Sequence, residues 1–264
     1  RISVTQRSFS RKLASSPELE AIYQPAAGII LLQMVNHGVL RDKRVRLALH
    51  HAIDKNLISQ ALFKGKARPI STPAGVGMPG YDPDFSLDYD PQYAQQLLTE
   101  TGYSLTNPLT LNLYTTKGVL TNDLDIAKAI AQQWTNIGID VQLHVLTPAM
   151  IADYQNRQKF DGPLLQGWNP AAGDPATYSG LLLNPTLSMG IWKSDDVIKP
   201  LQELDSLSDN AQRIIGYKAF DRWQVAQGYS IPLFQNVTVM VGKASLVIPP
   251  DLSGILSPYH IRHS

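Results

Sequence analysis

An α/β fold is predicted, with a sheet flanked by helices, and three observations predict it. Leu109, Leu111 and Leu113 alternate in "LTLNLYT" (109–115), and "IDVQLHV" (139–145) alternates again, so each reads as a strand with one buried face. Between them, "NDLDIAKAIAQQWTNIG" places Ile126, Ile130, Trp134 and Ile137 on one helical face. Strand, helix and strand at this spacing make a right-handed βαβ crossover with parallel strands. The third observation is "AAGIILLQMV", an apolar run that ends at Asn36. It is far shorter than the ~18 residues of a membrane-spanning helix, so it reads as a buried strand.

The other elements follow in chain order. Residues 1–28 are mixed, with Pro17 and Pro25 interrupting any long element, and the first strand is placed at "IILLQMVN" (29–36). "DKRVRLALHHAIDKNLISQALFKGKA" (42–67) opens as one amphipathic helix and loses its register. Val45, Ala48, Leu49, Ala52 and Ile53 share a face, while Leu57, Ile58, Ala61 and Leu62 point elsewhere. A break at Asp54 explains this. Asp42 and Asp54 each act as an N-cap that accepts from free amides, and Gly65 is the left-handed stop. His50 and His51 project about 100° apart on a helix, so they do not converge on one metal; surface or partly buried histidines are expected. "ARPISTPAGVGMPGYDPDFSLDYDP" (67–91) is a long aperiodic segment, of the kind that is functional or packs as a lid.

Asp90-Pro91 starts a helix with the stripe Ala94, Leu97 and Leu98 and a stop at Gly102. Beyond the crossover unit, Thr147-Pro148 starts another helix, "FDGPLLQGW" (160–168) is a further strand and "NPAAGDPATY" (169–178) is a tight loop. Residues 194–227 are helix-rich and "IPLFQNVTVMV" (231–241) returns to strand. The tail, 244–264, holds Pro249, Pro250 and Pro258 and reads as irregular and peripheral.

The 264 residues suffice for one large or two modest domains. Charged residues are 17 % and hydrophobic ones 44 %, against a usual charged share of ~25 %, which suits a well-buried body or one with a sizeable interface. A net charge of +1, from 23 basic and 22 acidic residues, gives no basic excess to attract nucleic acid or anionic lipid. Cysteine is absent, which removes disulfides, thiolate catalysis and zinc-thiolate sites together. "RISVTQRSFS" has no charged-then-apolar signal pattern, so the chain reads as cytoplasmic or as a mature or truncated piece.

"GVGMPG" (75–80) matches the dinucleotide pattern letter for letter, but that pattern needs a strand before it and a helix opening within it. Pro79 and the following Tyr81-Asp82-Pro83 forbid the helix. There is no phosphate-binding P-loop, no paired-histidine zinc motif and no nucleophile elbow. No catalytic residue, metal ligand or cofactor is therefore assigned. Recognition is a different matter. In open α/β sheets ligands sit where loops leave the carboxyl ends of strands, which selects "TTKGVLTND" (115–123) and the 169–178 loop. The candidates there are Thr116, Lys117, Gly167, Trp168, Asn169, Asp174 and Tyr178. Lys117 either meets a ligand carboxylate or is solvated; Trp168 either stacks on a ligand or belongs to the core. Asp174 holds a turn through its own backbone, and Tyr178 lines a pocket or covers the core.

Four stretches, in order, carry a resemblance: "DKRVRLALHHAIDKNLI", "YDPQYAQQLLTETGY", "LTLNLYTT…IAKAIAQQWTNIGIDVQLHV" and "GWNPAAGDP". Together, from about Asn36 to about Val241, they resemble the peptide/nickel class of solute-binding proteins of ABC importers, the dipeptide- and oligopeptide-binding family. The resemblance implies a type II periplasmic-binding-protein-like clamshell, its mixed sheet flanked by helices, of which this chain is the second lobe. Residues 1–28 would be a lead or hinge segment from the first lobe, 29–243 the ligand-binding lobe and 244–264 a segment returning toward the first. It further implies a missing N-terminal lobe, a secretion signal, a periplasmic or extracytoplasmic location, an inner-membrane ABC permease as partner and no turnover.

Residue by residue, the resemblance puts Lys117 where a basic side chain meets the ligand carboxylate. It puts Ala171 where dipeptide binders carry the Asp that holds the ligand's α-amino group. Burying an ammonium without that partner costs on the order of several kcal/mol. A plain free-amine dipeptide is thus disfavoured, and a longer or modified peptide, an opine-like or sugar-like solute or a metal chelate comes forward. Asp174 would substitute only in a rebuilt loop. Two other classes stand beside this reading. A ligand-sensing domain of a regulator would carry an upstream helix-turn-helix, and an α/β hydrolytic enzyme would need a nucleophile and base that the sequence does not bring together.

Overall fold

The computed structural model describes residues 3–4, 18–169, 174–243, 245–247 and 262–263. Strands β1 (Ser3–Val4) and β2 (Leu19–Gln33) come first, then helices α1 (Lys43–His51) and α2 (Lys55–Phe63). The register break lies where the caps put it. Asp42 accepts from the Arg44 amide and Asp54 from the Leu57 amide, each at 2.8 Å. Lys64 takes the left-handed stop at φ 54°, one residue before Gly65. Helix α3 (Pro91–Thr99) starts on the Asp90 cap. After it come β3 (Leu109–Thr115), α4 (Asp123–Thr135), β4 (Ile139–Val145), α5 (Pro148–Asn156) and β5 (Leu164–Trp168). A 3-10 turn at Pro175–Thr177, α6 (Ser179–Leu183), α7 (Ile198–Asp205), α8 (Asn210–Ala226) and β6 (Ser230–Lys243) follow. Two short strands, β7 (Leu246–Val247) and β8 (Arg262–His263), pair with each other; the tail prolines lie outside the described residues.

The main sheet has the order β1-β6-β2-β5-β3-β4. β3 pairs parallel with β4 and β5, and the other neighbours are antiparallel, so the sheet is mixed as expected. Two strand boundaries differ from expectation. β2 starts at Leu19 rather than Ile29 and runs through Pro25, because β6 offers it a 14-residue partner. The ladder changes register between Pro25 and Ile29, and an irregularity is where a residue without an N–H is tolerated. The strand therefore crosses position 28 without interruption. β5 starts at Leu164 rather than Phe160, since Gly162 and Pro163 bend the chain into it.

Most of the apolar residues form one core between the sheet and α1, α2, α4 and α8. Trp134 is fully buried there and its indole donates to the Leu49 carbonyl at 2.9 Å, which fixes α4 against α1. His50 is 1 % exposed, a core residue rather than a surface or partly buried one. A second, smaller core gathers Ile29, Leu31, Ile70, Ala74, Met78, Tyr178 and Leu182 on the other side of β2.

Candidate functional site

Because β3 and β5 are parallel, their carboxyl ends leave the sheet at one edge. Tyr114 pairs with Leu164, so most of β5 projects past the end of β3. The loop after β3 folds against that projection. A Cβ on Gly167 would lie 2.4 Å from Leu120 Cδ2, so the bare backbone at 167 lets the Leu120 side chain lie directly against β5. Asp123 gives the loop its shape. Its carboxylate accepts from the Thr116 hydroxyl at 2.7 Å and from the amides of Gly118, Val119, Leu120 and Leu124 at 2.9–3.2 Å. Burial pushes this carboxyl up, and the hydrogen bonds from Gly118, Thr116, Leu120 and Leu124 outweigh it, holding the group below the usual carboxylate range. Thr116 is thereby committed to the loop's interior. Lys117 is exposed on the loop, with no ion-pair partner among the described residues, and Val119 is 55 % exposed beside it.

Trp168 closes the other side of the edge. Its indole Nε1 donates to the Thr177 carbonyl at 2.5 Å and its half-buried ring rests on the second core. Asn169 is exposed immediately after it. Asp174 and Tyr178 belong to the scaffold. One Asp174 oxygen accepts from the Ala176 amide at 2.9 Å and the other faces the Arg213 guanidinium at 3.4 Å. Tyr178 is 1 % exposed and covers the core rather than lining a pocket. Burial, reinforced by Asp174 and Asp221, pushes its phenol up to about 12. Pro170 to Gly173, Ala171 among them, lie outside the described residues.

Three contributors were not marked by the sequence. A Cβ on Gly28 would lie 1.8 Å from Asn169 Oδ1 and 3.2 Å from Asn236 Nδ2, so those two side chains meet over the bare backbone of β2. The Gln235 carboxamide accepts from the Val76 amide at 3.1 Å and donates to the carbonyls of Val76 at 3.0 Å and Ala26 at 3.2 Å. It ties the 67–91 segment to the same edge. The segment is packed structure with no helix after "GVGMPG", and the next helix is α3. Among the described residues, no three His, Cys, Asp or Glu side chains group to hold a metal ion, and no helix is long and apolar enough to cross a membrane.

A mixed sheet with strand exits gathered on one rim over a small apolar floor fits the type II periplasmic-binding-protein-like fold. Residues 3–189 match the family model described as bacterial extracellular solute-binding proteins, family 5 Middle, and the chain belongs to that family. Heme-binding protein A of Haemophilus influenzae is 26 % identical over 219 residues, 78 % of this chain and 39 % of that protein. The periplasmic murein peptide-binding protein MppA of Escherichia coli is 27 % identical over 249 residues, 86 % of this chain and 44 % of that protein. The solved structure of NikA from Staphylococcus aureus with Ni(L-His)2 superposes with a TM-score of 0.80 at 17 % identity, over 97 % of this chain and 56 % of that one. The chain thus spans about half the length, or less, of the proteins it matches.

Proposed function

We propose that this chain is one lobe of the extracytoplasmic solute-binding component of an ABC importer. It binds a peptide or peptide-like small solute in a cleft completed by a second lobe and delivers it, chemically unchanged, to an inner-membrane permease in the periplasmic space. The lobe runs from β2 to β6, with the lead before it and the 244–264 tail on the side of the second lobe. Lys117, Gly167, Trp168 and Asn169 face the solute, and Thr116, Asp174 and Tyr178 hold the loops that carry them. The observation that carries the reading is the shared rim of β3 and β5, where the loop that carries the exposed Lys117 packs through Leu120 against Gly167, next to Trp168 and Asn169. Relatives named for heme and murein peptide, and a relative solved with a nickel–histidine chelate, set the range of solutes to try.

The test is calorimetric titration with di- to tetrapeptides, N-acetylated and C-amidated peptides, opines, nickel–histidine and heme. It is run on this chain and on a protein in which a second lobe completes the cleft. The two-lobed protein is expected to bind one solute class much more tightly than this chain. Lys117→Ala should then cost roughly tenfold or more for a solute with a free carboxylate and little for its amide. Tight binding by this chain alone, unaffected by Lys117→Ala and Trp168→Ala, would place the site elsewhere.

A further inference from the structure

A cavity of about 140 Å³ lies at the amino end of β5, away from the part of the rim closed by Trp168 and Asn169. β5 separates the two, and its five residues span about 13 Å at the usual rise per residue. Three segments that are remote in sequence close around the cavity. The exit of β2 brings His37, the end of α5 brings Gln158 and Phe160, and the stretch before α7 brings Ser188, Ile191 and Lys193. No carboxylate is among the lining residues.

The chemistry of the wall is specific. Lys193 Nζ donates to the carbonyls of Pro185 at 2.8 Å and Leu187 at 2.7 Å, and Asn36 Nδ2 donates to the Lys193 carbonyl at 2.8 Å. The ammonium is thus fixed at the cavity with one N–H left over. Among the described residues no acidic side chain pairs with it, and burial holds it below the ordinary lysine range. His37 has its own counter-charge nearby, in Asp161, whose carboxylate also accepts from the Tyr114 hydroxyl. Lys193 is the cation that an anion in the cavity would neutralise. Phe160 and Ile191 are buried and supply an apolar flank.

Gln158 is an independent sign. It sits just past the end of α5 at φ 51°. The Lys159 amide donates to the Tyr154 carbonyl at 2.9 Å and the Gln158 amide to the Gln155 carbonyl at 3.2 Å, which makes this the left-handed residue of a Schellman stop. Glycine is the residue that adopts this conformation without strain. A glutamine there carries a backbone cost, and this exposed residue is among those that line the cavity. A strained residue at a pocket wall is where a functional use is to be sought.

We propose that this cavity is a second binding site, separate from the interlobe cleft, for a small organic monocarboxylate. Its anion meets Lys193 and Ser188, Gln158 hydrogen-bonds to it, and its apolar body lies against Phe160 and Ile191. Cavities of about this volume admit a benzene-sized guest, which sets the ligand near six heavy atoms.

Butyrate is the probe and butyramide its neutral counterpart, each titrated into the chain at constant ionic strength and followed by ligand-observed NMR and thermal shift. Butyrate should saturate with a half-point on the order of millimolar, and butyramide should not bind. Lys193→Met should abolish the effect and Lys199→Met, an exposed lysine elsewhere, should preserve it. Gln158→Gly should raise Tm without ligand and weaken butyrate binding several-fold, which separates binding from folding if Lys193→Met is poorly folded. No saturable signal with butyrate, propionate or valerate overturns the site. So does equal binding of butyramide, or unchanged affinity in a more stable Gln158→Gly protein. None of these readouts depends on whether the cleft binds a peptide.

Discussion

Arg222 grips both carboxylate oxygens of Asp82, through Nε and, at 2.8 Å, through Nη2. Lys218 adds a third contact at 3.3 Å, and the Asp82 side chain has no exposed surface. The pair fastens the irregular 67–91 segment to α8. The hydrogen bond from Arg222 is the main reason the Asp82 carboxyl lies below the usual range, against the opposing effect of burial. Asp82→Asn should cost about 1–3 kcal/mol at neutral pH, measured by urea unfolding. A carboxylate with a lowered pKa contributes stability above its unfolded pKa of ~4 and loses it as pH falls, so the cost of Asp82→Asn should shrink toward pH 3. Arg222→Ala should cost less than Asp82→Asn, because Lys218 remains.

Asp123→Ala removes the acceptor of five donors at once. One of them, the hydroxyl of Thr116, belongs to a buried residue, where a lost partner is not replaced by water. The expected loss is about 3 kcal/mol in urea unfolding, and solute binding should weaken with it as Lys117 loses its fixed position. Lys117→Ala should leave the unfolding midpoint unchanged, since its side chain is exposed and unpaired among the described residues.

These interactions mark where sequence reasoning reaches and where it stops. β3, α4 and β4 were legible because each reports its own period, and the Asp54 break was legible because a cap acts within three residues. β2 was not legible over Leu19–Gly28. Pro25 reads locally as an interruption, and the partner that accommodates it is β6, far along the chain. The rim follows the same division. Lys117, Trp168 and Asn169 were legible as rim residues because strand exits mark them. Gly28, Asn236 and Gln235 were not, since Gln235 acquires its meaning only by reaching Ala26, 209 residues away. Thr116 and Tyr178 show the converse: a strand exit selects a loop but does not say which of its side chains turn inward.

Asp221 gives the chain a pH signature opposite in sign to that of Asp82. It is 1 % exposed, and burial pushes its carboxyl up to about 7 even though the Ser179 hydroxyl donates to it. The native protein therefore binds more protons than the unfolded chain between pH ~4 and pH 7, and this group's contribution to stability falls as pH rises through that window. Asp221→Asn keeps an acceptor for Ser179 and has no charge to bury. Its stability relative to the parent should improve by about 2–4 kcal/mol on going from pH 4 to pH 7. A difference that stays flat over that window would show that Asp221 is ionised at little cost.

Gly162 and Gly167 predict two different failures one strand-length apart. A Cβ on Gly162 would lie 2.0 Å from the Asn112 carbonyl oxygen and 2.8 Å from its carbon. Both are β3 backbone, and β3 is tied to this segment by the Tyr114 amide donating to the Pro163 carbonyl at 2.9 Å. Backbone held in a ladder moves only by opening the pairing, so Gly162→Ala should cost on the order of 3 kcal/mol or more. At Gly167 the clash is with the end of the Leu120 side chain, which rotates. Gly167→Ala should cost roughly 1 kcal/mol in urea unfolding. Its larger effect should be on the solute, because pushing Leu120 outward lifts the loop that carries Lys117. Unfolding and titration of both variants separate the two: stability lost at Gly162, affinity lost at Gly167. Equal stability losses at the two positions would mean that the loop after β3 is as rigid as the sheet it leaves.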